Sequence, residues 1–293
     1  MKYHIVHKTD YHYGSTVALC HNEARLTPRT LPGQTCHSSH IEIDPQASAP
    51  SQRLDFWGNQ VTYFAIQMPH QRLQVTATSQ VELESGEQQL DFAGDIPWEE
   101  MRARLVGPCS PQWQEARLLA MESRLVALQP ELAAYARPSF PPGRPLLEGV
   151  GQLTGRIFAD FTFDPSFTTV STPLSQVLEH RRGVCQDFAH LAIGCLRSLG
   201  LAARYVSGYI QTLPPPGQKR LVGADASHAW FSVFAPGQGW IDFDPTNNQR
   251  PHGQHITVAW GRDYADVAPF KGVVFGGGQH RLDVSVDVEG LQK

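Results

Sequence analysis

The sequence has few cysteines, no marked charge excess and no long apolar run, and each absence excludes a class of protein. Its five cysteines among 293 residues are scattered without close pairing, which argues against a disulfide framework. A formal net charge of −4 gives no reason to expect a nucleic-acid partner. No apolar run approaches membrane-spanning length, and residues 1–8 lack the apolar core of a signal peptide. We therefore expect a cytoplasmic, reduced globular protein without a membrane partner.

The most informative stretch that is present is residues 183–200, which predicts an amphipathic helix. Gly200 closes it as a natural C-terminal cap, and Cys185 falls in its first turn. Unpaired backbone N–H groups and the positive end of the helix dipole favour a thiolate there, as a nucleophile requires. The predicted buried stripe consists of Phe188, Leu191, Ala192, Cys195, Leu196 and Leu199.

A base and a carboxylate follow on a predicted β-hairpin whose turn is the cluster 235–239. Centring the hairpin on this turn places His228 opposite positions near 244–247, so Asp244 is the closest carboxylate to the imidazole. Asp242 points to the same face but lies about two residues, roughly 7 Å, further along the strand. We favour Asp244 as the partner of His228, and Asp242 remains the alternative.

These motifs resemble those of a known family. Cys185 in Gly-Val-Cys-Gln-Asp-Phe-Ala, His228 in His-Ala-Trp and Asp244 in Asp-Pro-Thr resemble the Cys–His–Asp triad of the transglutaminase-like superfamily, and more narrowly its bacterial branch of candidate cysteine proteases. The resemblance is strong over 155–248 and looser over the β-rich N-terminal segment and 261–264. It implies an α+β fold with a papain-like core, in which the helix carrying the cysteine packs on an antiparallel sheet carrying the histidine and the aspartate.

The resemblance also implies an enzyme that acts on amide or peptide bonds through a thioester, with Cys185, His228 and Asp244 as the catalytic residues. The expected partner is a peptide or protein amide substrate, and we expect no cofactor and no metal. Hydrolysis is favoured over protein cross-linking, because the sequence shows no calcium-type acidic loop and no dedicated acceptor machinery. The alternative is a catalytically inactive protein-interaction module of the same fold.

Clusters of proline and glycine, which favour turns and loops, divide the chain into four segments. They are an N-terminal β-sandwich or barrel domain at 1–90, a helical lobe with a proline-rich connection at 91–145, the catalytic core at 146–262 and a C-terminal β-hairpin at 263–293. We predict that the three glycines at 276–278 form the turn of this hairpin.

Three further expectations concern the surroundings of the core. Residues 112–128 are predicted to form one helix. The proline-rich loop 213–220 is predicted to border the active site. Many relatives carry a tyrosine at the position of Phe163, and a phenylalanine cannot donate a hydrogen bond to an oxyanion. The backbone N–H of Cys185 is therefore the oxyanion donor that we expect.

Several other residues offer weaker candidates. His190 lies on the cysteine helix but is expected to face away from Cys185. Asp187 is interpreted as a partner of the helix dipole, with a contact to a substrate amine as the alternative. Two Cys-His pairs near the N-terminus, Cys20-His21 and Cys36-His37, fit no common zinc-ligand spacing. The cysteines expected to be structural are Cys20, Cys36, Cys109 and Cys195.

Overall fold

The computed structural model describes residues 1–84, 94–107, 111–211 and 226–291, and its strands form two antiparallel sheets and one short parallel pair. The strands of the first sheet are β1 (Lys2–Ala24), β2 (Gln34–Asp44), β3 (Ser48–Leu54), β4 (Gln60–Ile66), β5 (His70–Leu83), β12 (Phe270–Gly276) and β13 (His280–Leu291). The short parallel pair is β6 (Thr162–Phe163) and β7 (Arg182–Gly183). The second sheet has the order β10–β9–β8–β11, with strands β8 (Ala203–Ile210), β9 (Ala226–Ala235), β10 (Gly239–Phe243) and β11 (His255–Gly261).

The helices lie mostly between the two sheets in sequence. They are α1 (Trp98–Val106), α2 (Pro111–Leu118), α3 (Pro130–Ala136), α4 (Leu146–Asp160), α5 (Leu174–His180), α6 (Cys185–Ser198) and α7 (Tyr264–Val267). Within the described residues, no helix is both long enough and apolar enough to cross a membrane.

The first sheet is folded across its long central strand, β1. Along one edge of β1 run β5 and then β4, and along the other run β13 and then β12. Tyr11 contacts the ring of Phe270, although Phe270 pairs with Ala24, thirteen positions further along β1. A straight strand would separate those positions by roughly 43 Å. The sheet must therefore bend, and the fold encloses a small core of its own around residues such as Phe64 and Leu73.

The C-terminal segment differs from the predicted hairpin. Strands β12 and β13 are both antiparallel to β1 and therefore run in the same direction. They pair with β1 and not with each other. The glycines between them have φ of 83° at Gly277 and 61° at Gly278, and the amide of Gly14 donates to the carbonyl of Gln279 at 2.8 Å. The hairpin prediction is thus wrong, because the left-handed glycines bend the strand over the irregular stretch of β1 instead of reversing it.

The second sheet and α6 form the centre of the core. Helix α6 packs on β9 and β8, while α3, α4 and α5 pack around its other sides. Its predicted stripe is buried, but so is every residue from Asp187 to Arg197, so the helix is buried on all its faces and is not amphipathic as the sequence predicts. The predicted α+β arrangement, with the cysteine helix packed on an antiparallel sheet, is confirmed.

The predicted helix 112–128 is wrong in its second half. Helix α2 ends at Leu118, and the chain then turns so that the amide of Leu125 donates to Asp263 at 2.8 Å. The carbonyl of Leu119 accepts from the buried guanidinium of Arg197. These long-range bonds replace helical ones, so tertiary contacts outweigh the local helical pattern.

Two buried amide side chains join the folded first sheet to the core. Gln34 exchanges two hydrogen bonds of 2.8 Å with the backbone of Thr257, and Asn59 exchanges bonds of 2.9 and 3.0 Å with the backbone of Trp260. Each amide acts like one residue of an adjacent strand along β11. Backbone groups of β11 that would otherwise be buried without partners are thereby satisfied.

Candidate active site

Cys185 occupies the first position of α6, where the sequence places it. Val184 before it has extended backbone geometry, and the carboxylate of Asp187 accepts the Val184 amide at 2.8 Å. The hydroxyl of Thr168 donates to the same carboxylate at 2.7 Å. The half-buried thiol of Cys185 is therefore held at a capped helix start, beside unpaired N–H groups and the positive end of the dipole.

His228, on β9, hydrogen-bonds with the carboxylate of Asp244 and interacts with the nearby thiol of Cys185. Its Nε2 lies 2.8 Å from Oδ2 of Asp244, which leaves Nδ1 for the thiol. Opposite His228 on β8 is Gly208, where a Cβ atom would lie only 2.1 Å from the carbonyl oxygen of Ile256. The absence of a side chain at Gly208 thus allows the strands to pack closely beneath the histidine.

Asp244 is fully buried and directly follows β10. Its Oδ1 accepts the amides of Thr246 at 2.9 Å and Asn247 at 3.2 Å, and the side-chain amide of Asn247 donates to Oδ2 at 2.7 Å. A pair of backbone hydrogen bonds between Asp244 and Gln249 closes this turn. The carboxylate is therefore fixed by its own turn and directed at His228.

The electrostatics of the pair favour a charged imidazole beside a charged carboxylate. Burial by itself lowers the pKa of His228, but its interactions with Asp244 and Cys185 outweigh burial and raise that pKa to about 9. Burial by itself raises the pKa of Asp244, yet the bonds from His228, His255 and Asn247 hold it well below its usual range. At neutral pH the site is therefore organised around an imidazolium.

Comparison with known proteins identifies the family. A model of the bacterial transglutaminase-like N-terminal region matches residues 3–82, and a model of the transglutaminase-like superfamily matches residues 134–245. The chain belongs to the transglutaminase-like superfamily.

The proteins that are similar to this chain match very different shares of it. An uncharacterized protein of Mycobacterium tuberculosis is 42% identical over 299 residues, which cover 98% of this chain and 92% of that protein. The protein-glutamine gamma-glutamyltransferase of Pseudomonas aeruginosa is 32% identical over 114 residues, which cover 37% of this chain and 17% of that protein. The crystal structure of a candidate cysteine protease from Cytophaga hutchinsonii matches with a TM-score of 0.76 at 21% identity, covering 100% of this chain and 91% of that one. This last likeness shows the fold.

In this transglutaminase-like site, Asp242 has other partners. It lies opposite Ser232 on the neighbouring strand and accepts hydrogen bonds from the Ser232 hydroxyl and from Nε1 of Trp230, the latter at 3.1 Å. The structure brings Asp244, and not Asp242, to the imidazole of His228. The two positions differ because β10 ends at Phe243 and the chain turns immediately afterwards.

The other residues of the cysteine helix have structural partners. Nε2 of His190 accepts the amide of Tyr264 at 3.0 Å, and burial lowers the pKa of His190 to about 4. Asp187 is 2% exposed and caps the helix, so it is not open to a substrate amine. Burial raises the pKa of the Cys195 thiol to about 12, in keeping with a core residue. These placements agree with the structural interpretations given above.

Phe163 and the two tryptophans Trp230 and Trp240 are placed differently from one another. Phe163 is 54% exposed on β6, which pairs with β7 just before the cysteine helix. Trp230 is fully buried, with its ring centroid 6.0 Å from that of His228. Trp240 instead contacts Phe234. Only Trp230 of the two therefore shields the His228–Asp244 pair.

Two residues of the site, Asn247 and His255, escaped the sequence analysis. Asn247 lies three positions after Asp244, and an amide just beyond an Asp-Pro turn is a signal that could have been used. His255 begins a separate strand, and no local pattern connects it to Asp244. Of the residues considered earlier, Cys109 and the loop 213–220 lie outside the described part of the chain.

The described residues contain one group that could hold a metal ion by its donor atoms, namely His228, Asp244 and His255. All three are buried, and the side-chain amide of Asn247 donates to the same carboxylate oxygen. An N–H dipole pointing at that oxygen suits hydrogen bonding and opposes a cation. The donor set therefore fits proton chemistry better than metal ligation. The two Cys-His pairs near the N-terminus do not form such a group.

A cavity of about 790 Å³ lies beside the second sheet, between it and the folded first sheet. Residues of both sheets line it, including Gln34, Trp230, Asp242 and His255, whereas Cys185 does not. The thiol and the cavity are therefore separate features of the molecule.

Proposed function

We propose that this protein is a cysteine-dependent hydrolase of amide or peptide bonds that acts through a thioester. The observation that supports it most directly is the arrangement of His228, which is hydrogen-bonded to the buried carboxylate of Asp244 and close enough to the thiol of Cys185 for the two side chains to interact. A nucleophile, a base and a residue that orients the base are the three parts that such chemistry requires.

In the first half of the reaction, His228 holds the proton of the Cys185 thiol, and the thiolate attacks the carbonyl carbon of an amide. The backbone N–H of Cys185, at the capped start of α6, is the donor placed for the resulting oxyanion. The C–N bond then breaks, and the imidazolium of His228 protonates the departing ammonia or amine. Asp244 holds the imidazole in the tautomer that carries its proton on Nε2.

In the second half, His228 takes a proton from water, and the oxygen attacks the thioester. The C–S bond breaks, a carboxylic acid leaves and the thiol regains its proton. Water is favoured as the acceptor because two carboxylates close to the start of the cysteine helix are already engaged. Asp187 caps the helix, and Asp164 is paired with Arg182 and Ser166, so neither is free to bind an acceptor ammonium. The transferase name of the Pseudomonas aeruginosa relative supports transfer to an amine as the competing outcome.

The test is incubation of the wild type with glutamine-containing peptides in H₂¹⁸O, with and without a fluorescent primary amine. We expect release of ammonia or peptide fragments, ¹⁸O in the new carboxyl group and an acyl adduct on Cys185 after acid quenching. Cys185→Ser should lower turnover by about a thousandfold or more, whereas Cys195→Ser, in the core of the same helix, should retain it. Incorporation of the amine in place of ¹⁸O would favour transfer. Turnover unaffected by Cys185→Ser, or none with any amide, would contradict the proposal.

A further inference from the structure

A second histidine shares the Asp244 carboxylate with His228. His255 begins β11, and its Nε2 lies 3.0 Å from Oδ2 of Asp244, the same oxygen that lies 2.8 Å from Nε2 of His228. The side chain of His255 is 2% exposed, and that of Asp244 is fully buried. Two imidazoles therefore meet one carboxylate oxygen away from water.

The surroundings of His255 determine which tautomer it adopts. Its Nδ1 is buried and has no hydrogen-bond partner. A protonated His255 would place a second N–H there without an acceptor, which is costly in a buried position. The neutral ring with its proton on Nε2 meets Asp244 and leaves only a lone pair unsatisfied. His255 is thus a donor to the carboxylate.

The carboxylate of Asp244 consequently receives donors from several directions. His228, His255 and the side chain of Asn247 converge on Oδ2, and the backbone amides of Thr246 and Asn247 hold Oδ1. Asn247, Thr246 and the Asp244 backbone all belong to one turn. His255 differs because it comes from another strand, whose pairing with β8 fixes its position.

His255 is itself held rigidly. Its ring meets the ring of the fully buried Trp230 edge-on, with centroids 5.3 Å apart, and its backbone pairs with Ile210. Both His255 and Trp230 line the cavity beside the second sheet, which the thiol does not. The carboxylate is therefore supported from the side of the molecule away from Cys185.

We propose that His255 is a positioning residue that orients Asp244 and, through it, sets the tautomer and direction of His228. The inference rests on the proposed role of Cys185 as the nucleophile. Hydrogen-bond partners that orient a primary side chain commonly control its reactivity, although they touch no substrate. His255 would act in this way, since the one polar contact of its side chain among the described residues is with Asp244.

The first arm of the test measures the rate at which iodoacetamide alkylates Cys185 at pH 6, followed by peptide mass mapping. We expect His255→Phe to slow alkylation by about tenfold, because a hydrogen bond to a charged group is worth roughly 1.5–3 kcal/mol and 1.4 kcal/mol is a factor of ten. His255→Gln, whose amide can donate to Asp244, should remain within about threefold of the wild type. His252→Gln, at an exposed histidine of the preceding loop, is the matched control and should be unchanged.

The second arm separates positioning from general packing by a double-mutant cycle. In an Asp244→Ala background His255 has lost its partner, so His255→Phe should cause no further slowing. If His255→Phe does not fold, as judged by circular dichroism, His255→Asn takes its place, since its amide is one methylene shorter than that of Gln and falls short of Asp244. Equal rates for His255→Gln and the non-donating variant, or a full effect in the Asp244→Ala background, would overturn the inference.

Alkylation needs no amide substrate, so the two proposals can fail separately. Alkylation that depends on His255, in a protein that hydrolyses no amide, would retain the positioning role and contradict the proposed hydrolase. Amide hydrolysis that depends on Cys185, together with alkylation that ignores His255, would contradict the positioning role alone.

Discussion

Asp242 and Asp244 are two positions apart, yet they belong to different networks. Asp244 contacts His228, whereas Asp242 accepts from Trp230 and Ser232. This contrast provides a pair of variants at the scale of single residues, because each change replaces one carboxylate by an amide at the same strand end.

The first prediction concerns the protonation of His228. Its pKa of about 9 depends on Asp244, since burial alone lowers it. Asp244→Asn should therefore shift the titration of His228 to lower pH, whereas Asp242→Asn should leave it near 9. The measurement is the pH dependence of the His228 ring signals by NMR in protein labelled at histidine. Equal shifts in the two variants would contradict this assignment.

The same pKa has a consequence for stability. A histidine whose pKa rises on folding from about 6.5 to about 9 stabilises the folded state fully below pH 6.5. That contribution is lost as the pH rises from 6.5 through 9. In Asp244→Asn this contribution should be largely absent, so the fall in stability between pH 6.5 and 9 should be smaller, because the imidazolium no longer has its carboxylate partner.

The three main residues of the candidate site could be predicted from the sequence, whereas the residues that support them could not. Cys185, His228 and Asp244 lie in local motifs with helix-start, strand and turn signals. His255 comes from a strand with no local link to them, and its contact exists only because β11 joins the sheet beside β8. Residues that are brought together by long-range strand pairing show no characteristic spacing in the sequence.

At the scale of elements, the position of α6 depends on a buried arginine near its C-terminus. Arg197 is 1% exposed and donates to three backbone carbonyls and one hydroxyl in other segments. Burial lowers its pKa to about 10, so the guanidinium remains charged at neutral pH. Its acceptors are the carbonyls of Leu119, Ala203 and Arg262 and the hydroxyl of Ser123.

The second prediction tests this role. Arg197→Lys keeps the charge but loses the planar fork, so at least one of those four acceptors loses its donor. We expect the free energy of unfolding in urea to fall by about 3 kcal/mol. Arg104→Lys, at an exposed position paired with Glu100 within α1, should change it by less than about 0.5 kcal/mol. Similar losses in both variants would refute the special role of Arg197.

Helix boundaries were predictable where local signals were strong and failed where tertiary bonds intervene. The helix from Cys185 follows from its apolar stripe and from Gly200, which adopts a φ of 80°. Residues 119–128 continue a helical pattern. However, the carbonyl of Leu119 accepts from Arg197 and the amide of Leu125 donates to Asp263, so these groups make no helical hydrogen bonds. Such competition is invisible to a local window.

At the scale of the whole molecule, the two ends of the chain form one sheet. The last strand, β13, pairs with β1 from Leu291 opposite Lys2 to His280 opposite Tyr13. Apolar residues alternate along this strand, but only those in its second half are buried. Val286 and Val288 are buried against the main core, whereas Leu282 and Val284 are 46% and 51% exposed.

The third prediction follows from that gradient. Val288→Asp places a charge in the core and should cost several kcal/mol, on the order of half the stability of a typical domain. Val284→Asp, on the same face of the same strand, should stay within about 0.5 kcal/mol. Thermal unfolding of the two variants provides the comparison. Equal destabilisation would contradict the continuous strand along β1.

The whole-molecule arrangement was the least predictable from sequence. The triple glycine at 276–278 is compatible with a turn or with a bend, and the choice depends on β1, more than 250 positions away in the chain. The β-rich character of the N-terminal segment could be read locally. Its folding across β1, and the recruitment of the C-terminus, could not.

The measurement that tests the central claim most directly is the pH dependence of iodoacetamide labelling at Cys185 in the wild type and in His228→Ala. We predict rapid labelling at pH 6 in the wild type, because His228 remains protonated up to about pH 9 and stabilises the thiolate beside it. This labelling should be lost in His228→Ala. Slow labelling at pH 6 in both proteins, rising alike only near the ionisation of an ordinary thiol at about 8.5, would contradict an activated cysteine.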